Sequence, residues 1–146
     1  MQRRNPCIRT EELLRARLFR VERRTYERPG GETFAREIVL HPGAVVILPI
    51  HDDGRVVMIH NYRCAVEREL LELPAGTREP GEEPIATAGR ELIEETGYRA
   101  SELAPLGEFF MSPGILSERM HAFVARGLHW VGQNLDAGED IRTELV

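Results

Sequence analysis

The hydrophobic pattern of this chain consists mainly of short runs that alternate with polar residues or are rich in β-branched side chains. Such runs predict strands, which we expect at 14–27, 34–40 and 44–50, the last of them (AVVILPI) with the composition of a buried strand. Residues 1–12 are polar and are expected to be loose. The start of the chain is therefore predicted to be a loose segment followed by strands.

Further strands are expected in the rest of the chain. Asp52-Asp53-Gly54 predicts a hairpin turn, after which 55–63 (RVVMIHNYR) pairs back on the preceding strand. The polar tail after His129 shows no clear pattern. Shorter strands are predicted at three other places: 68–74, 104–111 and 119–126.

One segment, which begins at Pro84, has the period of a helix. Proline suits the first helical turn because its missing N–H would be unpaired there, and Gly97 can take the left-handed conformation that often ends a helix. At 100° per residue, the face that packs on the core is predicted to contain Ile85, Ala88 and Leu92. A mixed sheet with at least one packed helix indicates an α+β or α/β sandwich, and we expect the α+β class.

Three carboxylates lie on one flank of this helix, beside its apolar stripe. Glu91 and Glu95 are one turn apart, and Glu94 lies about 60° from Glu91 on the other side. Two like charges at about 5 Å repel by roughly 3 kcal/mol before screening. Either water screens them, as on a solvated acidic face with an Arg90–Glu94 ion pair, or a hard cation such as Mg²⁺ binds there. The three glutamates alone do not decide between these alternatives.

Composition limits the partners that can be expected. The length of 146 residues fits one domain, 1–146. With 19 basic and 24 acidic residues the net charge is −5, which argues against nucleic acid as a partner. No apolar run approaches the ~18 residues of a membrane span, and no secretory signal is visible at the N-terminus. Cys7 and Cys64 are too few for a disulfide framework and are expected to be reduced thiols of a cytoplasmic protein.

A longer spacing surrounds the three glutamates and resembles the Nudix box. It consists of Gly76, five residues, Glu82, seven residues, Arg90-Glu91-Leu92, one residue, Glu94-Glu95, one residue and Gly97. The next position, usually aliphatic, is Tyr98. The resemblance implies a Nudix hydrolase, which cleaves a nucleoside diphosphate linked to another group. It also implies an α/β/α sandwich with a mixed sheet packed between helices.

The Nudix resemblance assigns roles to the box residues. Two or three Mg²⁺ ions, for which Mn²⁺ would substitute, are expected on Ala75 (through its carbonyl oxygen), Glu91, Glu94 and Glu95. Glu94 is either a further ligand or a catalytic base. Arg90 and Glu82 resemble groups that hold the ligands in place. Gly76 and Gly97 are expected to be backbone requirements rather than part of the chemistry.

The flanks of the box resemble one subfamily, the ADP-ribose pyrophosphatases. The runs at 61–76 (NYRCAVERELLELPAG) and 34–49 (FAREIVLHPGAVVILP) carry this resemblance. Pro113 is the fifteenth residue after Tyr98, an offset that is similar to that of a proline in this subfamily. The whole resemblance covers roughly 14–128.

The subfamily resemblance implies substrate-binding and catalytic residues outside the box. Arg63 would contact the pyrophosphate, because a guanidinium offers phosphate oxygens a planar fork, and Arg36 would help to hold the adenosine. Pro113 and Gly114 would shape a loop around the terminal ribose. Glu118 occupies a position similar to that of a loop glutamate proposed as the catalytic base in some relatives. For the charged residues, an exposed side chain without a role in the chemistry is the alternative.

The implied activity is the hydrolysis of ADP-ribose to AMP and ribose 5-phosphate. The implied assembly is a homodimer whose N-terminal strands, about 14–40, reach the partner's site. One alternative is a Nudix hydrolase of another nucleoside diphosphate compound, such as an ADP-sugar, GDP-mannose or a dinucleotide. The other is a non-catalytic nucleotide-sensing module, although such a module would be expected to have lost box glutamates. His41 and His121 are interpreted as structural residues.

Overall fold

The computed structural model describes residues 5–135, 137–138 and 140–146, and these form two compact units. The first unit contains the residues up to Pro42 together with Phe110–Arg119. The second unit contains Gly43–Phe109 together with Met120–Val146. In the described ranges no helix has the length and apolar character needed to cross a membrane. One domain for the whole chain stays a prediction.

The first unit is built on an antiparallel sheet with the order β1-β2-β3. Its strands are β1 (Cys7–Arg15), β2 (Arg20–Glu27) and β3 (Thr33–Leu40). The Ala16 N–H donates to the Phe19 carbonyl oxygen at 2.9 Å and closes the turn between β1 and β2. The strand expected at 34–40 is confirmed as β3.

Two predictions for this part of the chain are wrong. The chain is not loose from Cys7 onward, and 14–27 contains the end of β1, a turn and all of β2. Every residue of β1 is exposed, so its side chains lack the alternation that marks a half-buried strand. β1 exists because its backbone pairs with β2. The first four residues of the predicted loose segment lie outside the described residues.

The remaining strands form two sheets. They are β4 (Ala44–Pro49), β5 (Val57–Arg63), β6 (Arg68–Glu72), β7 (Ala75–Thr77), β8 (Tyr98–Phe110), β9 (Arg119–Trp130) and β10 (Ile141–Leu145). One sheet has the order β7-β4-β9-β8 and is mixed, because β4 is antiparallel to β7 and parallel to β9. The other is antiparallel with the order β10-β5-β6. The hydrophobic pattern predicted neither β7 nor β10.

The hairpin predicted around Asp52-Asp53-Gly54 is correct as a turn but wrong as a strand pair. The His51 N–H donates to the Arg55 carbonyl oxygen at 2.8 Å, and one bridge joins Ile50 to Val56. Beyond that bridge, β4 and β5 enter different sheets. The reason is that β4 already has β7 and β9 on its two edges, and β5 has β10 and β6.

The helix α1 (Pro84–Thr96) has the predicted ends. Proline occupies its first turn, and Gly97 adopts φ 75° and donates its N–H to the Ile93 carbonyl oxygen at 2.9 Å. α1 packs against β4, β5, β7 and β10. A left-handed residue at this place satisfies a carbonyl that would otherwise lack a partner at the helix end.

The buried face of α1 is rotated from the predicted one towards the glutamates. Ala88 and Leu92 are buried as predicted, but Ile85 is 49% exposed, so its placement in the core is wrong. The residues that α1 buries are Thr87, Ala88, Glu91, Leu92, Glu95 and Thr96. The spacing of apolar residues alone misplaced the centre of the buried face, because two of the buried residues, Glu91 and Glu95, are charged.

The core of the second unit lies between α1 and the strands. Its buried members are Val45, Ile47, Val57, Ala88, Leu92, Phe123, Ala125 and Leu128. One mixed sheet, two antiparallel sheets and a packed helix confirm the α+β class. The resemblance implies a sheet packed between helices. Within the described residues, α1 is the one helix.

Candidate functional site

At Gly76 the backbone of β7 lies directly against a glutamate of α1. β4 holds β7 in place by pairing Val45 with Gly76 and Val46 with Ala75. A methyl group on Gly76 would lie 1.9 Å from Cδ and 2.0 Å from Oε1 of Glu91, far inside van der Waals contact. Glycine is therefore required here for space, and the Glu91 carboxylate occupies the room that a side chain would take.

Arg90 is the centre of a charged cluster. Its Nε and Nη2 donate to the two carboxylate oxygens of Glu82 at 3.0 and 3.1 Å. Its Nη1 donates to Glu91 Oε1 and Glu94 Oε2, both at 2.8 Å. Nη2 also donates to the Thr77 carbonyl oxygen at 3.3 Å. One guanidinium thus orients three carboxylates, the arrangement that the predicted holding role of Arg90 and Glu82 requires.

Glu82 connects this cluster to the loop before α1. Its Oε2 accepts the Glu79 N–H at 3.1 Å, and its carbonyl oxygen accepts hydrogen bonds from the Arg78 guanidinium. The hydrogen bond from Arg90 lowers the pKa of Glu82 from 4.5 to about 2. The same bond raises the pKa of Arg90. Both groups are therefore charged at neutral pH, and the loop is fastened to the helix by a permanent ion pair.

Glu95 is the most enclosed carboxylate of the cluster, with 3% of the residue exposed. Its Oε2 accepts the backbone N–H of Ala75 at 2.8 Å. This bond joins the last turn of α1 to the first residue of β7, whose carbonyl oxygen the resemblance assigns as a metal ligand. Burying a carboxylate is costly unless it is hydrogen-bonded or paired with positive charge. This flank of α1 is therefore suited to ionised groups and a cation.

The donor set of the cluster fits a hard divalent cation. Four carboxylates, those of Glu82, Glu91, Glu94 and Glu95, accompany one guanidinium, and carboxylate oxygens suit Mg²⁺ and Mn²⁺. Within the described ranges, no three His, Cys, Asp or Glu side chains are already arranged as a metal ligand set. Instead, Glu91 and Glu94 each direct an oxygen to Arg90. Because a carboxylate has two oxygens, an ion pair through one is compatible with ligation through the other.

A cavity of about 500 Å³ lies in the first unit. Tyr26 and Phe34, a cross-strand pair of β2 and β3, line it with stacked rings whose centroids are 5.5 Å apart. The Arg36 guanidinium lies over the Phe34 ring at 5.1 Å from its centroid. Pro113 and Gly114 form part of the wall. Three residues that the sequence predicts to bind substrate thus line one aromatic and cationic cavity.

Glu118, the predicted base, belongs to the first unit and is paired with His41. Its Oε1 lies 3.5 Å from His41 Nδ1. The backbone N–H of His41 donates to Ser117 Oγ at 3.1 Å, which holds the histidine beside the segment that carries Glu118. His41, interpreted as a structural residue, is therefore also a neighbour of the predicted base.

Arg63, the predicted pyrophosphate ligand, is held by a residue that the sequence reasoning missed. Its Nε donates to both carboxylate oxygens of Glu72 at 3.0 and 3.1 Å, and its Nη2 donates to Glu72 Oε2 at 2.6 Å. Arg63 ends β5, and Glu72 ends the neighbouring β6. In the antiparallel pair, Arg63 stands opposite Arg68 and Glu72 stands opposite Ile59. The two predicted strands at 55–63 and 68–74 therefore contained no signal for this contact.

The aromatic pair of the cavity was also missed. Tyr26 and Phe34 stand opposite each other because the turn between β2 and β3 pairs Glu27 with Thr33. Pro29-Gly30-Gly31 is the turn signal between them, and a hairpin centred on it would have predicted the pair. Neither residue belongs to the motif that carried the Nudix resemblance.

Comparison with known proteins identifies the family. The NUDIX domain matches residues 39–143. The chain is 43% identical over 139 residues to the methanol dehydrogenase activator of Bacillus methanolicus, with 95% of this chain and 75% of that protein aligned. It is 43% identical over 120 residues to the ADP-ribose pyrophosphatase of Bacillus subtilis (strain 168), with 82% of this chain and 65% of that protein aligned. A crystal structure of an ADP compounds hydrolase is similar with a TM-score of 0.87 and 30% identity, covering 99% of this chain and 79% of that one.

The chain belongs to the Nudix family. It spans 75% and 65% of the lengths of the two relatives named above. The resemblance seen in the box spacing and the Nudix fold expected from it are thereby confirmed. The roles of the individual site residues stay predictions.

Proposed function

We propose that this chain is a metal-dependent pyrophosphohydrolase that cleaves ADP-ribose to AMP and ribose 5-phosphate. The observation that carries the proposal is the buried flank of α1, where Arg90 gathers three carboxylates beside the enclosed Glu95. The similarity to an ADP-ribose pyrophosphatase supports the choice of substrate.

The metal would be held by Ala75, which precedes the box glycine, and by Glu91, Glu94 and Glu95 of the box. We propose Mg²⁺ as the ion and Mn²⁺ as its substitute, because both suit oxygen ligands. When bound, the ion would supply positive charge to the pyrophosphate oxygens and lower the pKa of the attacking water. Arg90 and Glu82 keep the carboxylates oriented before the substrate arrives.

Other residues would bind the substrate and move the proton. Arg63 would present its planar fork to the pyrophosphate oxygens. The first-unit cavity would take the adenosine, because Arg36 and the Phe34 ring supply a cation and an aromatic face. Glu118 would accept the proton of the attacking water, with Glu94 as the alternative base. The water oxygen bonds to one phosphorus, the bond from that phosphorus to the bridging oxygen breaks, and two monophosphates leave.

We propose in addition a homodimer and a cytoplasmic location. The exposed apolar side chains of β1 and the turn after it support the homodimer, because such surfaces mark interaction sites. Cys7 and Cys64 are exposed free thiols, which persist in a reducing compartment and thus support the cytoplasm.

The substrate is tested with a panel of ADP-ribose, ADP-glucose, GDP-mannose and a diadenosine polyphosphate. Each is incubated with Mg²⁺ or with a chelator, and the released monophosphates are measured by coupled phosphate detection. We expect a strong preference for ADP-ribose that the chelator abolishes. Metal-dependent turnover of another compound would overturn the substrate but keep the hydrolase, and no turnover would favour a sensing module.

The metal-binding flank is tested by Glu95→Gln, which keeps the shape of the side chain but removes its charge. We expect kcat to fall by roughly 10²–10⁴-fold, the range for loss of a group that acts in the chemical step. Glu102→Gln on the exposed side of β8 is the matched control and should keep the rate. Equal rates in both variants would contradict the assignment of Glu95.

A further inference from the structure

The chain after β9 is fastened to the last turn of α1. We call residues 131–134 the tether. The Val131 N–H donates to the Gly97 carbonyl oxygen at 2.8 Å, and the Asn134 N–H donates to the Glu94 carbonyl oxygen at 3.2 Å. The side-chain Nε2 of Gln133 donates to the Glu95 carbonyl oxygen at 2.6 Å. The tether therefore supplies donors to carbonyl groups that a helix end leaves without partners.

Gln133 differs from the other members of the tether because its contact depends on its side chain. Val131 and Asn134 contribute backbone N–H groups, which almost any residue would supply. The Gln133 amide instead spans from the Glu95 carbonyl oxygen to the Ile141 carbonyl oxygen, the latter at 3.3 Å. Ile141 is buried and begins β10, which pairs with β5. One amide group thus links the end of α1 to the sheet.

Glu95 is held at both ends by these contacts. Its backbone carbonyl accepts from Gln133, and its carboxylate accepts from the Ala75 N–H at 2.8 Å. A side chain fixed at its tip can reach the correct place only if its backbone is also correct. A shift of the last helical turn would move the backbone of Glu94 and Glu95 together, since both carbonyl groups bind the tether.

We propose that Gln133 is a positioning residue, which sets the place of Glu95 and thereby the affinity of the site for its divalent cation. This inference rests on the proposed function, because it takes Glu95 to be a metal ligand. Groups that orient ligands from behind change metal affinity by ~10–100-fold when they are removed. A residue that only stabilises the fold would instead lower the temperature of unfolding and leave the affinity of the folded protein unchanged.

The test uses the full chain and Mn²⁺ as the probe. Gln133→Glu replaces the donating amide by an acceptor of the same shape, and Asn134→Asp adds the same charge next to it while keeping its backbone N–H. The Mn²⁺ dissociation constant of the substrate-free protein is measured by electron paramagnetic resonance, well below the unfolding temperature. We expect about tenfold weaker binding in Gln133→Glu than in Asn134→Asp. An added negative charge alone would strengthen binding of a cation, so the two effects have opposite signs.

Gln133→Met is the second variant, because it removes the donor without adding charge or changing length by much. It should show the same loss of Mn²⁺ affinity as Gln133→Glu. The Mg²⁺ concentration needed for half-maximal rate should rise, and the KM for substrate at saturating Mg²⁺ should stay unchanged. Wild-type affinity in Gln133→Met would overturn the positioning role. Failure of the wild-type protein itself to bind Mn²⁺ would overturn the proposed function, which separates the two failures.

Discussion

Gly76 has no side chain, and the Glu91 carboxylate fills the space that a side chain would take. The Arg90 guanidinium donates hydrogen bonds to the carboxylates of Glu82, Glu91 and Glu94. Single atoms therefore decide the geometry of the cluster. Substitutions at this scale should affect turnover more than stability.

Gly76→Ala tests this dependence directly. The added methyl group would force the Glu91 carboxylate away from β7, and a misplacement of about 1 Å in an active site can cost ~100-fold in rate. We expect kcat for ADP-ribose to fall by about that factor. Gly89→Ala is the matched control, since a methyl group there would meet Leu103 Cδ1 at 3.6 Å, an ordinary contact. It should raise the free energy of unfolding by ~0.5–1 kcal/mol, because alanine favours the helix. A normal rate in Gly76→Ala would contradict the role of this contact.

Arg63→Lys tests the predicted pyrophosphate ligand. Lysine keeps the charge but loses the planar fork that Glu72 holds in place through both of its oxygens. We expect KM for ADP-ribose to rise by ~10-fold or more, with a smaller change in kcat, in steady-state kinetics. Arg68→Lys is the control, because Arg68 stands opposite Arg63 in the sheet and has no assigned role. The same KM in both variants would show that Arg63 does not bind the pyrophosphate.

At the scale of elements, the first-unit sheet combines a fully exposed strand with a buried, ion-paired carboxylate. β1 is exposed along its whole length, and β2 contains a buried carboxylate, Glu22. Arg20 Nε and Arg24 Nε lie 3.0 and 2.8 Å from the oxygens of Glu22. The hydrogen bond from Arg24 is the main cause that lowers the pKa of Glu22.

Stability of this sheet should therefore depend on acid. Because the pKa of Glu22 in the folded protein lies below its ordinary value of 4.5, its stabilising effect is complete above that pH. The effect is lost as the pH falls through the folded-state pKa. Amide exchange of β2 should accelerate on acidification, and Glu22→Gln should reduce this dependence. Glu27→Gln, on the same strand, leaves both arginine pairs in place and should behave like the wild type. An acid response in Glu22→Gln as large as that of the wild type would contradict this account.

The elements that could be predicted from sequence are those specified by neighbours along the chain. Pro84 and Gly97 mark the ends of α1, and the spacing of its glutamates identified the cluster. Side-chain contacts between strand positions that are not register partners could not be predicted in this way, as Arg63 and Glu72 show. Ile85 was misplaced because periodicity assumes that only apolar residues are buried. Gln133 was missed because its partner is a backbone carbonyl, which leaves no pattern in the sequence.

At the scale of the molecule, the exposed apolar side chains of the first unit bear on assembly. Ile8, Leu13, Leu14, Leu18 and Phe19 are all exposed in the single chain. In the homodimer that we propose, a surface of this kind would be covered by the second copy.

Light scattering coupled to gel filtration tests the homodimer. We expect the wild-type chain to elute with twice its mass of 16.6 kDa and Leu14→Glu to shift towards the monomer, because burying a charge in an apolar interface is costly. Leu71→Glu, which changes an exposed leucine of β6, should leave the mass unchanged. A monomeric wild type would contradict the homodimer.

Gly97 has one more neighbour that matters for observing this protein. Trp130, at the end of β9, lies so close that a methyl group on Gly97 would be 2.5 Å from its ring, and Tyr98 meets the same ring edge-on at 5.4 Å between centroids. It is the chain's single tryptophan. Its ultraviolet emission therefore comes from one known place, the end of the helix that bears Glu91, Glu94 and Glu95. A movement of that helix end would change the wavelength or intensity of the tryptophan fluorescence, without any added label.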